Sequence, residues 1–305
     1  MVRLPRKEND VVLRRGRQEV HLTNLAKVFW PERGYTKRDL LQHYLDIAPV
    51  LLPHLKDRAM VMKRFPNGIH GKWFFMKRSP KGAPSWLKTC SIAHAEDNIA
   101  YPMVQDLLTL LWVVNLGCID LNPWYSRCGD TDRPDYLHFD LDPVEGTSFG
   151  RVLEAAMILR EGLETLGMKP LVKTSGASGL HVYVALKLGP TQKTVWDAAK
   201  TIALEIAGQH PRLMTTKFRV ADRPRGTVLV DYNQNAWGRT LASVYSVRPT
   251  VDASVSTPLT WSEVEKGVKV RDFRIDNIGA RVRRRGDLWK PMLQSAGRYD
   301  LSRVR

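Results

Sequence analysis

The sequence predicts a mixed α/β (α+β) protein in which a small sheet carries two packed helices. Between about residues 131 and 250, short apolar runs alternate with two amphipathic helical patterns, which indicates a β-α-β-β-α-β unit. Before this region, residues 21–130 carry a further helical pattern and several short strand patterns, and they predict an N-terminal α/β module. The 305 residues suffice for a sizeable core.

The N-terminal part predicts a polar extension over about residues 1–20 and then one capped helix. Thr36-Lys-Arg-Asp39 is typical of a capping box, and apolar residues follow it at helical spacing. Pro49 predicts the end of this helix, because an interior proline removes a hydrogen bond. The most apolar segment, residues 107–121, predicts a buried helix.

Residues 59–90 predict strands and loops in which aromatic and basic residues are neighbours. In Lys72-Trp-Phe-Phe-Met-Lys-Arg78, rings could stack on nucleic-acid bases while the cations meet phosphates. The same segment could equally be an amphipathic strand with Trp73 and Phe75 in the core. The sequence leaves both interpretations open.

The central unit has recognisable boundaries. We predict a strand at 136–142, a helix between Ser148 and Gly167, a strand at 171–174, a turn at 175–179, a strand at 181–188, a helix at 191–207 and a strand at 227–232. This is the order of the ferredoxin-like split unit, in which the third strand lies antiparallel beside the first. His181 is therefore expected near Asp140 and Asp142, whereas the topology alone does not bring in Asp231.

Several of these residues suit metal and phosphate chemistry. Asp140 and Asp142 share one face of a strand, where two carboxylates repel unless a divalent cation lies between them. The turn Ser175-Gly-Ala-Ser-Gly-Leu-His181 predicts a nest of backbone N–H groups for an anion. Each motif alone is weak, since such acidic pairs are often merely exposed and a lone histidine is usually a core residue. With Asp231, three carboxylates could hold two divalent ions.

The charge balance points to a polyanionic partner. Lys and Arg number 47 against 31 Asp and Glu, a formal net charge of +16. Such an excess favours nucleic acid. The sequence shows neither a signal-peptide pattern nor an apolar stretch of membrane-spanning length, and the cysteines form no CxxC zinc motif. We therefore expect a cytoplasmic, nucleoid-associated protein with no membrane partner.

Three motifs carry a family resemblance: His138-Phe-Asp-Leu-Asp-Pro143, the glycine turn ending at His181, and Val230-Asp-Tyr-Asn-Gln-Asn235. From about Leu22 to Arg285 the sequence resembles the archaeo-eukaryotic primase superfamily, in particular the polymerase domain of bacterial ligase D and its stand-alone Prim-PolC-type relatives. The resemblance implies a single primase-polymerase domain over 1–305. Within it, 1–20 is an extension, 21–130 the N-terminal module, 131–250 an RRM-like catalytic unit and 251–305 a basic C-terminal segment.

The resemblance also implies roles for individual residues. The catalytic metal ligands, for Mn²⁺ or Mg²⁺, would be Asp140, Asp142 and Asp231. Nucleotide-binding residues would be Ser175, Gly176, Gly179, His181, Gln234 and Arg248. The 5′-phosphate of a downstream strand would meet Asn24, Lys27 and Lys37, and the template would meet Arg64, Phe74 and Phe75. Two positions depart from the family pattern: Ser178 replaces a common lysine, and Asn122 a common histidine.

The implied function is a DNA-dependent DNA/RNA polymerase, a nucleotidyltransferase of bacterial DNA repair that fills short gaps or extends ends and prefers ribonucleotides. Its implied partners are gapped or broken DNA with a 5′-phosphate, NTP or dNTP, Ku and a separate ATP-dependent DNA ligase. One alternative is a non-catalytic end-bridging module that recruits a ligase, which the intact carboxylates disfavour. Another is a sugar-nucleotide glycosyltransferase, which explains neither the charge nor the aromatic-basic strand. End joining, excision-repair gap filling and priming all remain open.

Overall fold

The computed structural model, which describes residues 3–95 and 97–303, contains both strands and helices. The strands are β1 (Val11–Arg15), β2 (Gln18–Leu22), β3 (Val28–Trp30), β4 (Tyr35–Thr36), β5 (Met60–Arg64), β6 (Phe74–Met76), β7 (Thr89–Ala93), β8 (Asn98–Pro102), β9 (Cys118–Pro123), β10 (Ser126–Arg127), β11 (Asp130–Pro134), β12 (Tyr136–Pro143), β13 (Leu171–Thr174), β14 (Leu180–Ala185), β15 (Met214–Thr215), β16 (Val228–Asp231) and β17 (Pro258–Leu259). The α-helices are α1 (Lys37–Leu55), α2 (Leu107–Asn115), α3 (Phe149–Thr165), α4 (Gln192–Gln209), α5 (Trp261–Lys266) and α6 (Ile278–Arg285).

The chain forms two compact units, each built from separate stretches of sequence. The first contains the residues up to Trp124 together with Ala242–Val255 and Phe273–Asp287. The second contains Tyr125–Leu241, Ser256–Asp272 and the residues from Leu288 onward. The sequence predicts a single domain divided at about residues 20, 130 and 250, and these boundaries remain a prediction.

The first unit is organised around the three-stranded antiparallel sheet β6-β5-β9 and the helices α1 and α2. Three hairpins, β1-β2, β3-β4 and β7-β8, complete its strands, and the first of them occupies much of the predicted polar extension. The capping box of α1 is present: the Thr36 hydroxyl accepts from the Asp39 N–H, and the Asp39 carboxylate accepts from the Thr36 N–H at 2.7 Å. The predicted start of this helix is confirmed.

The predicted end of α1 at Pro49 is wrong, because the helix continues to Leu55 and contains both Pro49 and Pro53. An interior proline costs about 3 kcal/mol. The residues beyond Pro49 continue the buried face, and the side chains of Leu51 and Leu55 are fully buried. Burying each leucine contributes about 1.5–3 kcal/mol, which offsets the cost of the proline.

The predicted helix at 107–121 is also shorter than expected. The helix α2 ends at Asn115, Gly117 has a left-handed φ of 80°, and the fully buried strand β9 follows. A continuous apolar run therefore covers a buried helix and a buried strand, which periodicity alone does not separate.

The second unit contains the predicted β-α-β-β-α-β order as β12-α3-β13-β14-α4-β16. Its six-stranded sheet has the order β15-β16-β12-β14-β13-β17, with β12 antiparallel to both β14 and β16. Leu137, Phe139 and Leu141 of β12 are buried, and α3 and α4 pack against this strand. The alternating residues of β12 project to the opposite face, which carries the candidate site.

Two local details of this unit differ from the sequence expectation. Ser148 stands at the N-cap of α3 without a capping hydrogen bond from its side chain, and α4 continues one residue past Gly208. No helix within residues 3–95 and 97–303 is both long and apolar enough to cross a membrane.

We expect Gly179→Ala to destabilise the second unit by about 2–3 kcal/mol, the cost of overpacking a tight contact. A Cβ at this position would lie 2.0 Å from the backbone oxygen of Leu141 in β12. The control is Gly208→Ala, since a Cβ there meets nothing within 4 Å and alanine favours a helix. Urea unfolding of both variants measures the difference. Equal stability of the two variants would contradict the close approach of the turn to β12.

Candidate active site

Four ionisable side chains form one row across the central strands of the second unit. In register they are Lys173 of β13, His181 of β14, Asp140 of β12 and Asp231 of β16. Directly opposed residues of antiparallel strands project to the same face, and Asp142 shares that face with Asp140. The register thus brings together His181 and Asp140, as predicted, and adds Asp231, which the topology alone did not place.

The carboxylates of this row are buried and held by nearby donors. Asp140 and Asp231 are each 7% exposed. The Asp231 carboxylate accepts the Asn233 N–H and the Gln234 side-chain amide, both at 2.8 Å. The Oδ1 atom of Asp140 lies 3.3 Å from Nε2 of His181. The Asp231 carboxylate is therefore oriented by two hydrogen bonds, and the Asp140 carboxylate lies beside the His181 imidazole.

The donor chemistry of this face fits a hard divalent ion such as Mg²⁺ or Mn²⁺, because all three acidic ligands supply carboxylate oxygens. Over the described ranges, no group of three acidic, histidine or cysteine side chains closes around a common point. Asp140, Asp142 and Asp231 are the residues that could hold the ion.

The glycine turn is shaped by its own serine. The hydroxyl of Ser175 accepts the N–H groups of Ala177 and Gly179 at 3.1 and 3.0 Å. These two amides are therefore engaged within the turn, and an anion nest formed by the turn remains a prediction. Gly176 takes a left-handed φ of 74°, which a residue without a Cβ adopts readily. The turn's tight geometry carries His181 directly to its place opposite Asp140.

A cleft of about 450 Å³ opens beside the turn. Its lining residues are Phe149, Ala177, Ser178, Lys269, Val270 and Arg271. Lys269 and Arg271 thus line the same cleft as Ser178, which stands where many members of the similar family have a lysine. Positive charge at the turn therefore comes from elsewhere in the second unit.

Two residues at this site, Asn235 and Lys173, had no role assigned from the sequence. Asn235 bonds both backbone groups of His138, accepting its N–H at 3.0 Å and donating to its oxygen at 2.6 Å, and so attaches the end of β16 to β12. Lys173 is 1% exposed inside the sheet. The sequence signal for Lys173 was its position within the predicted buried strand Leu171-Val-Lys-Thr. A charged residue in such a strand indicates a paired group, because charged residues are almost never fully buried unless paired.

In the first unit, the residues predicted to meet a 5′-phosphate lie around one turn. Asn24 has a left-handed φ of 55°, and its backbone oxygen accepts the Lys27 N–H at 3.0 Å. The backbone N–H of Lys37 in turn donates to the Lys27 oxygen at 2.8 Å. Lys37 is the first residue of α1, so its side chain lies at the positive end of the helix dipole, which favours an anion. The structure therefore brings Asn24, Lys27 and Lys37 together.

The two lysines of this turn differ in their surroundings. Lys27 is exposed and donates to the Asn67 side chain at 2.6 Å. Lys37 is 5% exposed and donates to the Thr23 oxygen at 2.8 Å. Burial, reinforced by the nearby positive charge of Lys27, lowers the pKa of Lys37 from 10.5 to about 8.

The aromatic segment is exposed, so the interpretation that placed Trp73 and Phe75 in the core is wrong. Trp73, Phe74 and Phe75 are 50%, 43% and 55% exposed. Phe74 and Phe75 are successive residues of β6 and project to opposite faces. The Lys63 ammonium lies 4.2 Å from the ring centroid of Trp73 and 5.7 Å from that of Phe75, whereas the Arg64 guanidinium lies 5.2 Å from that of Phe74. Phe74 and Phe75 therefore present two separate ring–cation faces.

Arg248 belongs to the first unit, where its guanidinium lies 3.1 Å from the buried carboxylate of Asp120. Asn122 is also buried and donates to the Asp120 backbone oxygen at 3.0 Å. Gln234, by contrast, belongs to the second unit and holds Asp231. The nucleotide-binding roles of Arg248 and Gln234 remain predictions.

Comparison with known proteins gives concordant matches. The family model for the LigD primase-polymerase domain matches residues 36–289. The multifunctional non-homologous end joining protein LigD of Mycolicibacterium smegmatis is 32% identical over 277 residues, which cover 90% of this chain and 36% of that protein. The bifunctional LigD of Bacillus subtilis is 28% identical, over 88% of this chain and 43% of that protein. The chain thus spans well under half the length of these relatives.

A solved structure is similar over nearly the whole chain. It is the polymerase domain of Mycobacterium tuberculosis ligase D in complex with DNA, with a TM-score of 0.86 and 30% sequence identity. The similarity covers 91% of this chain and 99% of that one. The predicted fold class is confirmed.

We expect the preference for a 5′-phosphate over a 5′-hydroxyl on recessed DNA to weaken as the pH rises through about 8, the pKa of Lys37. Below that pH the ammonium is protonated and attracts the phosphate, and above it the neutral amine does not. The ratio of the two dissociation constants, measured by fluorescence anisotropy between about pH 7 and 9.5, tests this, because the phosphate is already dianionic there.

The Lys37→Met variant should lose this pH dependence, and Lys88→Met, at an exposed lysine of the same unit, should keep it. A phosphate preference that stays constant across the range in the unmodified protein would remove Lys37 from phosphate recognition.

Proposed function

Because the chain belongs to the LigD primase-polymerase domain family, we propose that it is a DNA-dependent polymerase that fills short gaps or extends broken ends in bacterial DNA repair. The observation that carries the proposal is the register of β14, β12 and β16, which sets His181, Asp140 and Asp231 side by side. Nucleotidyl transfer needs oxygen ligands for divalent ions beside a donor for phosphate, and this face supplies both.

Asp140, Asp142 and Asp231 would hold Mn²⁺ or Mg²⁺. When bound, such ions lower the pKa of a 3′-hydroxyl and neutralise the charge of a triphosphate. The protein's own residues orient the site: the Asn233 N–H and Gln234 amide fix the Asp231 carboxylate, and Ser175 shapes the turn that leads to His181. Lys269 and Arg271, which line the cleft with Ser178, are placed to attract a triphosphate.

Recognition of DNA would rest on charge and stacking in the first unit. The net charge of +16 suits a phosphate backbone. The exposed rings of Phe74 and Phe75, each beside a cation, suit stacking on unpaired template bases. The turn with Lys27 and Lys37 suits the terminal phosphate of a downstream strand.

The cellular setting follows from the same relatives. They are non-homologous end joining proteins, and we propose broken or gapped DNA on the nucleoid as the substrate. Ku and a separate ATP-dependent DNA ligase are the proposed partners, and base excision repair is a second setting in which short gaps arise.

We expect Asp140→Asn, Asp142→Asn and Asp231→Asn each to reduce nucleotide incorporation at a gap by at least about 1,000-fold, since metal ligands stabilise charge that develops in the transition state. The dissociation constant for gapped DNA should change by less than about threefold, because binding rests on lysines and arginines elsewhere. Primer extension on a 5′-phosphorylated gapped duplex, with Mn²⁺ and with Mg²⁺, measures incorporation. Fluorescence anisotropy measures the dissociation constant for gapped DNA.

The matched control is Asp197→Asn, an exposed carboxylate of α4 paired with Lys193. Incorporation at the unmodified level in any of the three site variants removes that carboxylate from the mechanism. A protein that binds the gapped duplex but never extends it would support the end-bridging alternative instead.

We expect ATP to be incorporated in preference to dATP opposite the same template base. The ribose 2′-hydroxyl can hydrogen-bond to polar groups at the site, for which Gln234 and Ser175 are the candidates. Single-turnover incorporation of the two nucleotides on one gapped template gives the ratio of kcat/KM values. A preference for dATP would contradict a ribose-binding role for these residues.

A further inference from the structure

Lys173 is a buried cation next to the carboxylate row, and no role has been assigned to it. It is 1% exposed. Burying an ammonium group is costly unless hydrogen bonds compensate for the lost water. Its Nζ atom lies 2.7 Å from Nδ1 of His181 and 2.7 Å from the hydroxyl oxygen of Ser256, and 5.6 Å from the Tyr183 ring centroid.

The directions of these hydrogen bonds follow from the chemistry of the groups. The Ser256 hydroxyl donates to the Thr174 backbone oxygen at 2.8 Å, so its oxygen accepts from Lys173. An ammonium group donates only, and a carboxylate accepts only. A proton on Nδ1 of His181 would face the donors of Lys173, so Nδ1 accepts and the ring proton lies on Nε2. Nε2 in turn lies 3.3 Å from the Asp140 carboxylate.

Lys173 therefore donates to Nδ1 of His181, and the proton on Nε2 lies on the side of the ring that faces Asp140. We propose that Lys173 is a positioning residue that fixes His181 in the Nε2–H tautomer and aims that N–H at an anionic oxygen. In the free protein this oxygen is Oδ1 of Asp140, 3.3 Å from Nε2, and when a nucleotide is bound it is a phosphate oxygen. The contact of His181 with a nucleotide phosphate rests on the proposed polymerase function.

The physical benefit lies in excluding the wrong orientation of the ring. A histidine that is free to change tautomer or turn over presents a lone pair to the anion in part of its population, and that contact is repulsive. A fixed donor behind the ring removes this population, as partners of functional histidines do in other sites. Because Lys173 and His181 are directly opposed on neighbouring strands, the sheet itself holds the pair.

The first experiment reads the tautomer directly and needs no polymerase activity. In ¹⁵N NMR spectra of the full chain, His181 should show the pattern of a neutral ring protonated at Nε2, and His181→Asn should assign its signals among the eight histidines. Lys173→Met should convert this pattern into a mixture of tautomers. An Nδ1–H or doubly protonated ring in the unmodified protein overturns the proposal, even if Lys173→Met fails to fold.

The second experiment connects the tautomer to the reaction. Lys173→Met should lower kcat/KM for the incoming nucleotide by about 10–100-fold, the usual effect of losing such a partner, with an unchanged dissociation constant for DNA. Lys193→Met, at an exposed lysine of the same unit, should have no effect. The double variant Lys173→Met/His181→Asn should lose no more than His181→Asn alone.

The outcomes separate the positioning role from the polymerase. Losses that multiply in the double variant would mean that Lys173 acts independently of His181, which overturns the proposal. An unchanged tautomer and rate in Lys173→Met would also overturn it. If the tautomer shifts as expected but the unmodified protein incorporates no nucleotide, the positioning of His181 stands and the proposed function fails.

Discussion

The register of one strand pair, β12 with β16, is the constraint on which the candidate site depends. It places Asp231 opposite Asp140, while β14 places His181 opposite the same residue on the other side. A slip of one residue would turn every side chain of β12 to the other face, so that Leu137, Phe139 and Leu141 would leave the core. Burial of these three residues therefore stabilises both the sheet and the arrangement of the acids.

Local contacts then secure what the register brings together. Asn235 bonds both backbone groups of His138, so the loop after β16 cannot move away from β12 without breaking two hydrogen bonds. Gly179 allows the turn before β14 to approach the Leu141 oxygen more closely than any side chain permits. These features act on the backbone, and they position the site without touching a substrate.

The charges of the two units illustrate how burial changes the use of a lysine. Lys173, almost fully buried, is compensated by the imidazole of His181 and the hydroxyl of Ser256 and serves to orient a neighbour. Lys37, also buried, keeps a titratable amine whose pKa is lowered to about 8. Lys63 and Arg64, on the strand β5 that pairs with β6, lie beside rings on which a base could stack. The surroundings of each basic residue thus decide whether it is buried and paired, has a lowered pKa, or lies beside an exposed ring.

The sequence by itself determined the order of the elements in the second unit, the capped start of α1, the three motifs and the family, because these depend on local periodicity and on residue types at short spacing. Only the tertiary structure decided that α1 passes through Pro49, that the rings of β6 are exposed on two faces, and that Lys173 and Asp231 complete the row. Each of these depends on packing or pairing between residues far apart in the chain. The alternation of apolar and polar residues along a strand specifies which face of the sheet each side chain occupies, but it does not specify which residue of the neighbouring strand lies opposite.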